Sequence, residues 1–159
     1  MRYRKGIFMS RLFSLLLLAA TAGAAMHPGG SAMCVGGTIT SVQTGRKGEV
    51  LTSTPDAFVF VAPSETVRIP YDKINLIEYG QDVQRRVMLA WMISPMFLLM
   101  KSRKHFLTLG FQDAEGHQQA LVLRLDKRTV RSALAALEAR SGRTVTFLDA
   151  EARKYHRGG

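Results

Sequence analysis

The chain has 159 residues, 22 basic and 12 acidic side chains, a formal net charge of +10 and one cysteine. That length suits one domain with a modest core, and a lone cysteine excludes an intramolecular disulfide framework. The positive balance fits an anionic lipid surface or an acidic protein face, and with no base-reading motif present nucleic acid is not an expected partner.

Residues 1–24 carry Arg2, Arg4, Lys5 and Arg11, then an apolar run ending in small residues at Ala22-Gly23-Ala24. A basic start, a short apolar stretch and an Ala-x-Ala site form the pattern of a secretory signal peptide. Leu12 to Ala25 is shorter than the roughly 20 residues that span a bilayer, which favours cleavage over an uncleaved anchor. The expected location is therefore exported, periplasmic or associated with the cell envelope. Four of the 22 basic residues lie in this segment, so its removal leaves 18 against 12 acids, a net charge of +6 on 135 residues.

Residues 25–34 are rich in Gly, Pro and Ser and read as a flexible leader. Met33 stands where a lipoprotein signal wants a small residue, so Cys34 reads as a free or disordered thiol near the mature N-terminus. Short β-type segments follow. Residues 35–42 and 48–54 flank the turn "QTGRK" and suggest a hairpin. Residues 57–62, "AFVFVA", are apolar on both faces and rich in strand formers. Residues 66–70 put Val67 and Ile69 on one face and Arg68 on the other. Residues 71–80, "YDKINLIEYG", form the next expected strand, ended by Gly80. Beyond an interruption, 105–111 and 119–125 alternate with period two around the polar turn "QDAEGH" and form the clearest hairpin.

The period then changes. Val130, Leu134 and Leu137 recur at helical spacing, which places them on one face. Asp126 can cap the N-terminus and Gly142 suits the left-handed position after the C-terminus. Lys127, Arg128, Arg131 and Arg140 fall on the wet side. Residues 144–149 add a short strand, and 150–159 form a polar, frayed, basic tail. The expectation is a mainly β domain over 35–149. Six or seven antiparallel strands make a partly open barrel or orthogonal sandwich, capped by one C-terminal amphipathic helix.

The phrase "VLTSTPDAFVFVAPSETVRIPYDKINLIEYG" and the strand order resemble the PH/GRAM-like superfold. The match includes Ile69, Pro70, Tyr71, Ile74, Ile77, Glu78 and Tyr79, and the likeness runs over residues 35–142. The resemblance implies a noncatalytic binding module for lipid headgroups, peptides or other proteins. PH domains that bind phosphoinositides carry basic residues around the first hairpin, matched here only by Arg46 and Lys47. Their helical tryptophan is missing here, because the sole tryptophan is Trp91.

Catalytic and metal signatures are absent from the sequence. The four histidines show no ligand spacing, and no nucleophile elbow, P-loop or dinucleotide fingerprint occurs. Asp113 and Glu115 fall in a hairpin turn, where such residues serve as turn formers. No enzyme activity, cofactor or metal is expected.

The remaining segment, 83–104, is the unusual one. Val87 to Met100 is a 14-residue apolar run interrupted by Pro95. It is too short and too broken for a straight span. It reads either as a helical insert folded onto the barrel or as an exposed contact surface. Arg85, Arg86, Lys101, Arg103 and Lys104 flank it, and each adds about 1 kcal/mol at an anionic surface. Trp91 suits an interface, and Met88, Met92 and Met96, with Phe97, supply an adaptable apolar surface. These ten residues are the expected contact site. The partner is an anionic membrane surface or an envelope protein. The alternative is a structural subunit of a homo-oligomer or envelope complex, with the insert buried at the interface.

Overall fold

A computed structural model describes residues 30–81 and 104–157. Eight strands run in chain order: β1 (Gly30–Gly37), β2 (Lys47–Leu51), β3 (Ala57–Ala62), β4 (Glu65–Pro70), β5 (Ile74–Gly80), β6 (His105–Gln112), β7 (Gln118–Leu125) and β8 (Thr146–Phe147). Two α-helices are described, α1 (Lys127–Ser141) and α2 (Ala150–Arg157).

The strands form one sheet in the order β4-β3-β2-β1-β7-β6-β5-β8. It is two meanders, β1–β4 and β5–β7, joined where β1 pairs antiparallel with β7. β8 lies parallel to β5, so the sheet is mixed. β4 and β8 end the strand order, and the sheet is not closed.

One face of the sheet packs under α1. Val130, Ala133, Leu134 and Leu137 of the helix are at most 1 % exposed. Phe58, Phe60, Leu107, Leu121 and Leu123 lie in the same core cluster. Full burial of such side chains stabilises by about 1.5–3 kcal/mol each, which makes this layer the main source of stability. The helix ends are the expected ones. The Asp126 carboxylate accepts the backbone N–H of Arg128, and Gly142 sits at φ 67°, a left-handed position that a side chain disfavours. Among the described residues no buried side-chain N or O atom lacks a hydrogen-bond partner.

Several expectations are corrected. β1 begins at Gly30, inside the segment read as a flexible leader, and residues 38–46 form turns instead of the second half of a strand. Gly, Ser and Ala carry no pattern to announce a strand, yet β1 is held on both sides by β2 and β7. A bulge between Cys34 and Gly36 shifts its register against β7, and pairing resumes at Gly36 and Gly37. At Gly37, φ is 147° and a Cβ would lie 2.3 Å from the Ala120 carbonyl oxygen, so the close approach requires glycine. Cys34 is a free thiol but an ordered one, 2 % exposed in the core, and burial pushes its pKa up.

Tyr71–Lys73 form a 3-10 turn, so β5 starts only at Ile74. The tail is not frayed over 150–157. The Asp149 carboxylate accepts the backbone N–H groups of Ala152 at 2.6 Å and Gln81 at 2.7 Å, which starts α2 and ties it to the end of β5. Ala152 is fully buried and the Tyr155 hydroxyl donates to the Lys127 carbonyl at 3.0 Å. Two contacts hold a helix that reads as polar. The strand count rises to eight, and the parallel β8 makes the all-antiparallel expectation wrong at that edge.

Candidate functional site: a basic cleft on the sheet

Side chains alternate across a strand, so the sheet registers decide which residues share the face away from α1. Met33 pairs with Lys47 on one side and with Arg124 on the other. Arg124 pairs next with Phe106, and Phe106 with Gly80. Lys47, Met33, Arg124 and Phe106 therefore form one cross-strand row. The neighbouring row holds Val122 paired with Thr108. Val122 and the adjacent Val35 are fully buried and Thr108 is 3 % exposed. Val35 and Val122 form a small apolar cluster of their own, with Met33 and Phe106 packed against it.

Where this row meets the start of α1 there is a cleft of about 560 Å³. Lys47, Lys104, Arg124 and Lys127 line it, with His105 and Asp126. Lys47 sits where the β1–β2 turn enters β2, and the Arg46 carbonyl accepts the Cys34 backbone N–H at 2.9 Å, so the turn borders the cleft. The charge is one-sided. The Asp126 carboxylate is directed to Arg128, accepting its backbone N–H at 3.1 Å and standing 3.9 Å from its Nε. Among the described residues, no carboxylate lies within 4 Å of the four lining cations. Arg124 is half-buried, yet among the described residues nothing accepts a hydrogen bond from its guanidinium.

The helix adds to the field. Its first turn contains no acidic residue and begins with Lys127 and Arg128. Backbone N–H groups give a helix N-terminus a partial positive charge, so cations there are unfavourable and anions favourable. His105 registers this environment. Burial lowers its pKa first, Lys127 lowers it further, and Asp126 opposes both.

On the core side of the same end, the Tyr79 hydroxyl and His105 Nδ1 are 2.5 Å apart and their rings stack at 6.1 Å. Tyr155 tilts against His105 at 5.1 Å, under the cations of Lys127 and Arg131. Burial raises the Tyr79 pKa above its usual range, so this hydroxyl stays protonated and serves as a packed hydrogen-bonding post for His105.

Of the ten expected contact residues, only Lys104 falls within the described residues, and it lines the cleft. Arg85, Arg86, Met88, Trp91, Met92, Met96, Phe97, Lys101 and Arg103 lie outside them. Lys47 opens β2 and faces the cleft, whereas Arg46 stays on the turn and donates to Gln43 Oε1 at 2.9 Å. Period-two alternation puts Arg124 opposite Leu123 and Leu125, and the helical pattern puts Lys127 on the wet side, but neither pattern brings the two together. The readable signal was the run of bases without acids directly after the Asp126 cap.

Asp113, Glu115 and His117 also gather, with potential ligand atoms within 4.8 Å of one another. The Asp113 carboxylate is engaged by the turn itself. It accepts the backbone N–H groups of Glu115 at 3.1 Å and His117 at 2.7 Å, and the Gln119 side-chain amide at 2.8 Å. Those bonds, the Gln119 amide first, hold its pKa below the ordinary carboxylate range. Among the described residues no helix is long and apolar enough to cross a membrane. No known family model matches the chain, and no curated protein matches it.

Proposed function

We propose that the protein is a noncatalytic, exported binding module of the PH/GRAM-like type that associates with an anionic membrane surface. The observation that carries this reading is the cross-strand row ending in the cleft, where four cations converge without carboxylate partners beside Met33 and Phe106. Cations next to an apolar surface match the two layers of a bilayer interface, phosphate outside and hydrocarbon beneath. The apolar, basic-flanked run 83–104 joins β5 to β6 and ends at Lys104, inside the cleft. The two meanders followed by a helix on the core face support the PH/GRAM-like assignment.

Sedimentation of mature protein with phosphatidylglycerol-containing and pure phosphatidylcholine vesicles tests the reading. The expected result is binding to the anionic vesicles, weakened by salt and by Trp91→Ser combined with Lys101→Glu. Equal partitioning of wild type and that variant would remove the apolar run from the contact. No binding to either vesicle would reject the surface-association reading.

A further inference from the structure

We infer that the cleft formed by the start of β1, the end of β7, the start of β6 and the start of α1 is a binding pocket for a phosphate-type oxyanion. This deepens the surface-binding reading and rests on it for the ligand's source, a phospholipid headgroup or a free phosphate.

Three independent features converge on the same space. The first is Arg124. A guanidinium carries five N–H donors in a fixed fork, and the Arg124 nitrogens are open to solvent, where they can meet a ligand. Here its register neighbours are Met33 and Phe106, which offer no side-chain oxygen, and among the described residues no acceptor meets it. Both neighbours pack towards the apolar cluster of Val35 and Val122, which limits the directions open to the fork.

The second feature is the sign of the charge. Four cations converging on one cleft repel one another, and among the described residues Asp126 is the only carboxylate lining it. A carboxylate ligand would bring one negative charge. A phosphate monoester brings about 1.5 to 2 with three acceptor oxygens, which better matches donors arriving from two strands, the residue before β6 and a helix.

The third is the helix. Placing Lys127 and Arg128 at the positive end of a 15-residue helix, with no acid in its first turn, works against the macrodipole. The Asp126 cap, already engaged by Arg128, offsets part of this, and a bound anion would offset the rest. The cleft volume of about 560 Å³ exceeds a bare phosphate and accommodates a headgroup.

Inorganic phosphate titrated into the full-length protein, followed by NMR, tests the assignment, with acetate at equal ionic strength as control. The expected result is saturable movement of the His105 imidazole and the Lys127 and Arg128 amides with phosphate only. Arg124→Gln and Lys104→Gln should each weaken phosphate about tenfold, the scale of one charge-assisted hydrogen bond, while Arg68→Gln on the edge strand β4, three strands from β1, changes it less than about twofold. Circular dichroism melts of the variants establish that each remains folded. Vesicles of phosphatidylglycerol then separate the sources. Loss of vesicle binding in Arg124→Gln assigns the pocket to a headgroup, and retained vesicle binding with lost phosphate binding assigns it to free phosphate. Equal responses to phosphate and acetate, or phosphate shifts that survive in both cleft variants, would overturn the pocket. The surface reading would survive that failure if vesicle binding still depended on Trp91 and Lys101.

Discussion

Two arginines at opposite corners of the same core have opposite fates. Arg140, in the last turn of α1, is exposed, yet its guanidinium donates to the carbonyl of Thr52 at 2.6 Å, to the carbonyl of Thr54 and to the Tyr71 hydroxyl at 3.4 Å. It also lies 5.7 Å from the Tyr71 ring centre. Arg124 is less exposed and, among the described residues, has no partner at all. The Arg140 corner is closed by the chain's own oxygens, as the Asp113 turn and the Arg68–Asp56 pair are. Among the described residues nothing closes the Arg124 corner. Charge alone does not distinguish a structural residue from a binding one here. What distinguishes them is whether the fold already supplies the counter-group.

The comparison can be broken in stages. Leu123→Ala, one residue before Arg124 but on the core face, should cost about 2–5 kcal/mol in urea unfolding, because the site cannot collapse around a lost fully buried side chain. Arg140→Ala should cost about 1–2 kcal/mol, discounted for its exposure, since it strands the Thr52 and Thr54 carbonyls. Asp126→Ala should lower stability by about 1 kcal/mol through the lost cap while raising phosphate affinity, because among the described residues the cap is also the only carboxylate lining the cleft. Opposite signs in those two measurements would separate cap from site. Arg124→Ala should change stability by less than about 0.5 kcal/mol, since among the described residues its guanidinium makes no bond to lose.

The pH dependence follows the same contrast. The Asp113 carboxyl is held below its ordinary range, so its contribution is fully present above the unfolded value of about 3.9 and is lost as pH falls through the lower folded value. Urea midpoints between pH 5 and pH 2 should show this acid limb, and Asp113→Asn should shrink it. His105 is also depressed, so its contribution is present above about pH 6.5 and fades as pH falls through its folded value. Lys127 and Asp126 act on it with opposite signs, so a bound anion should raise its titration midpoint.

Much of the fold was legible because it is written in periodicity. Alternation placed Val67 and Ile69 inside and Arg68 outside, and the helical spacing of Val130, Leu134 and Leu137 gave α1 with both caps. β1 was misplaced because Gly30, Ser31 and Ala32 acquire strand character only by pairing with β2 and β7. α2 was missed because Ala152 and Tyr155 find their cover across long sequence distances. The cleft was illegible for the same reason. Lys47 and Arg124 are 77 positions apart in the numbering and meet only through the registers that flank Met33. Lys104 was found by its place beside the apolar run, without the neighbours that give it a site.

The most direct test of the central claim is the phosphate dependence of stability at fixed ionic strength. A ligand that binds only the folded state raises the unfolding free energy with its concentration. Urea midpoints of wild type and Arg124→Gln should coincide without phosphate and separate as phosphate is added, with only the wild type rising. Midpoints that rise equally in both proteins, or in neither, would contradict the account.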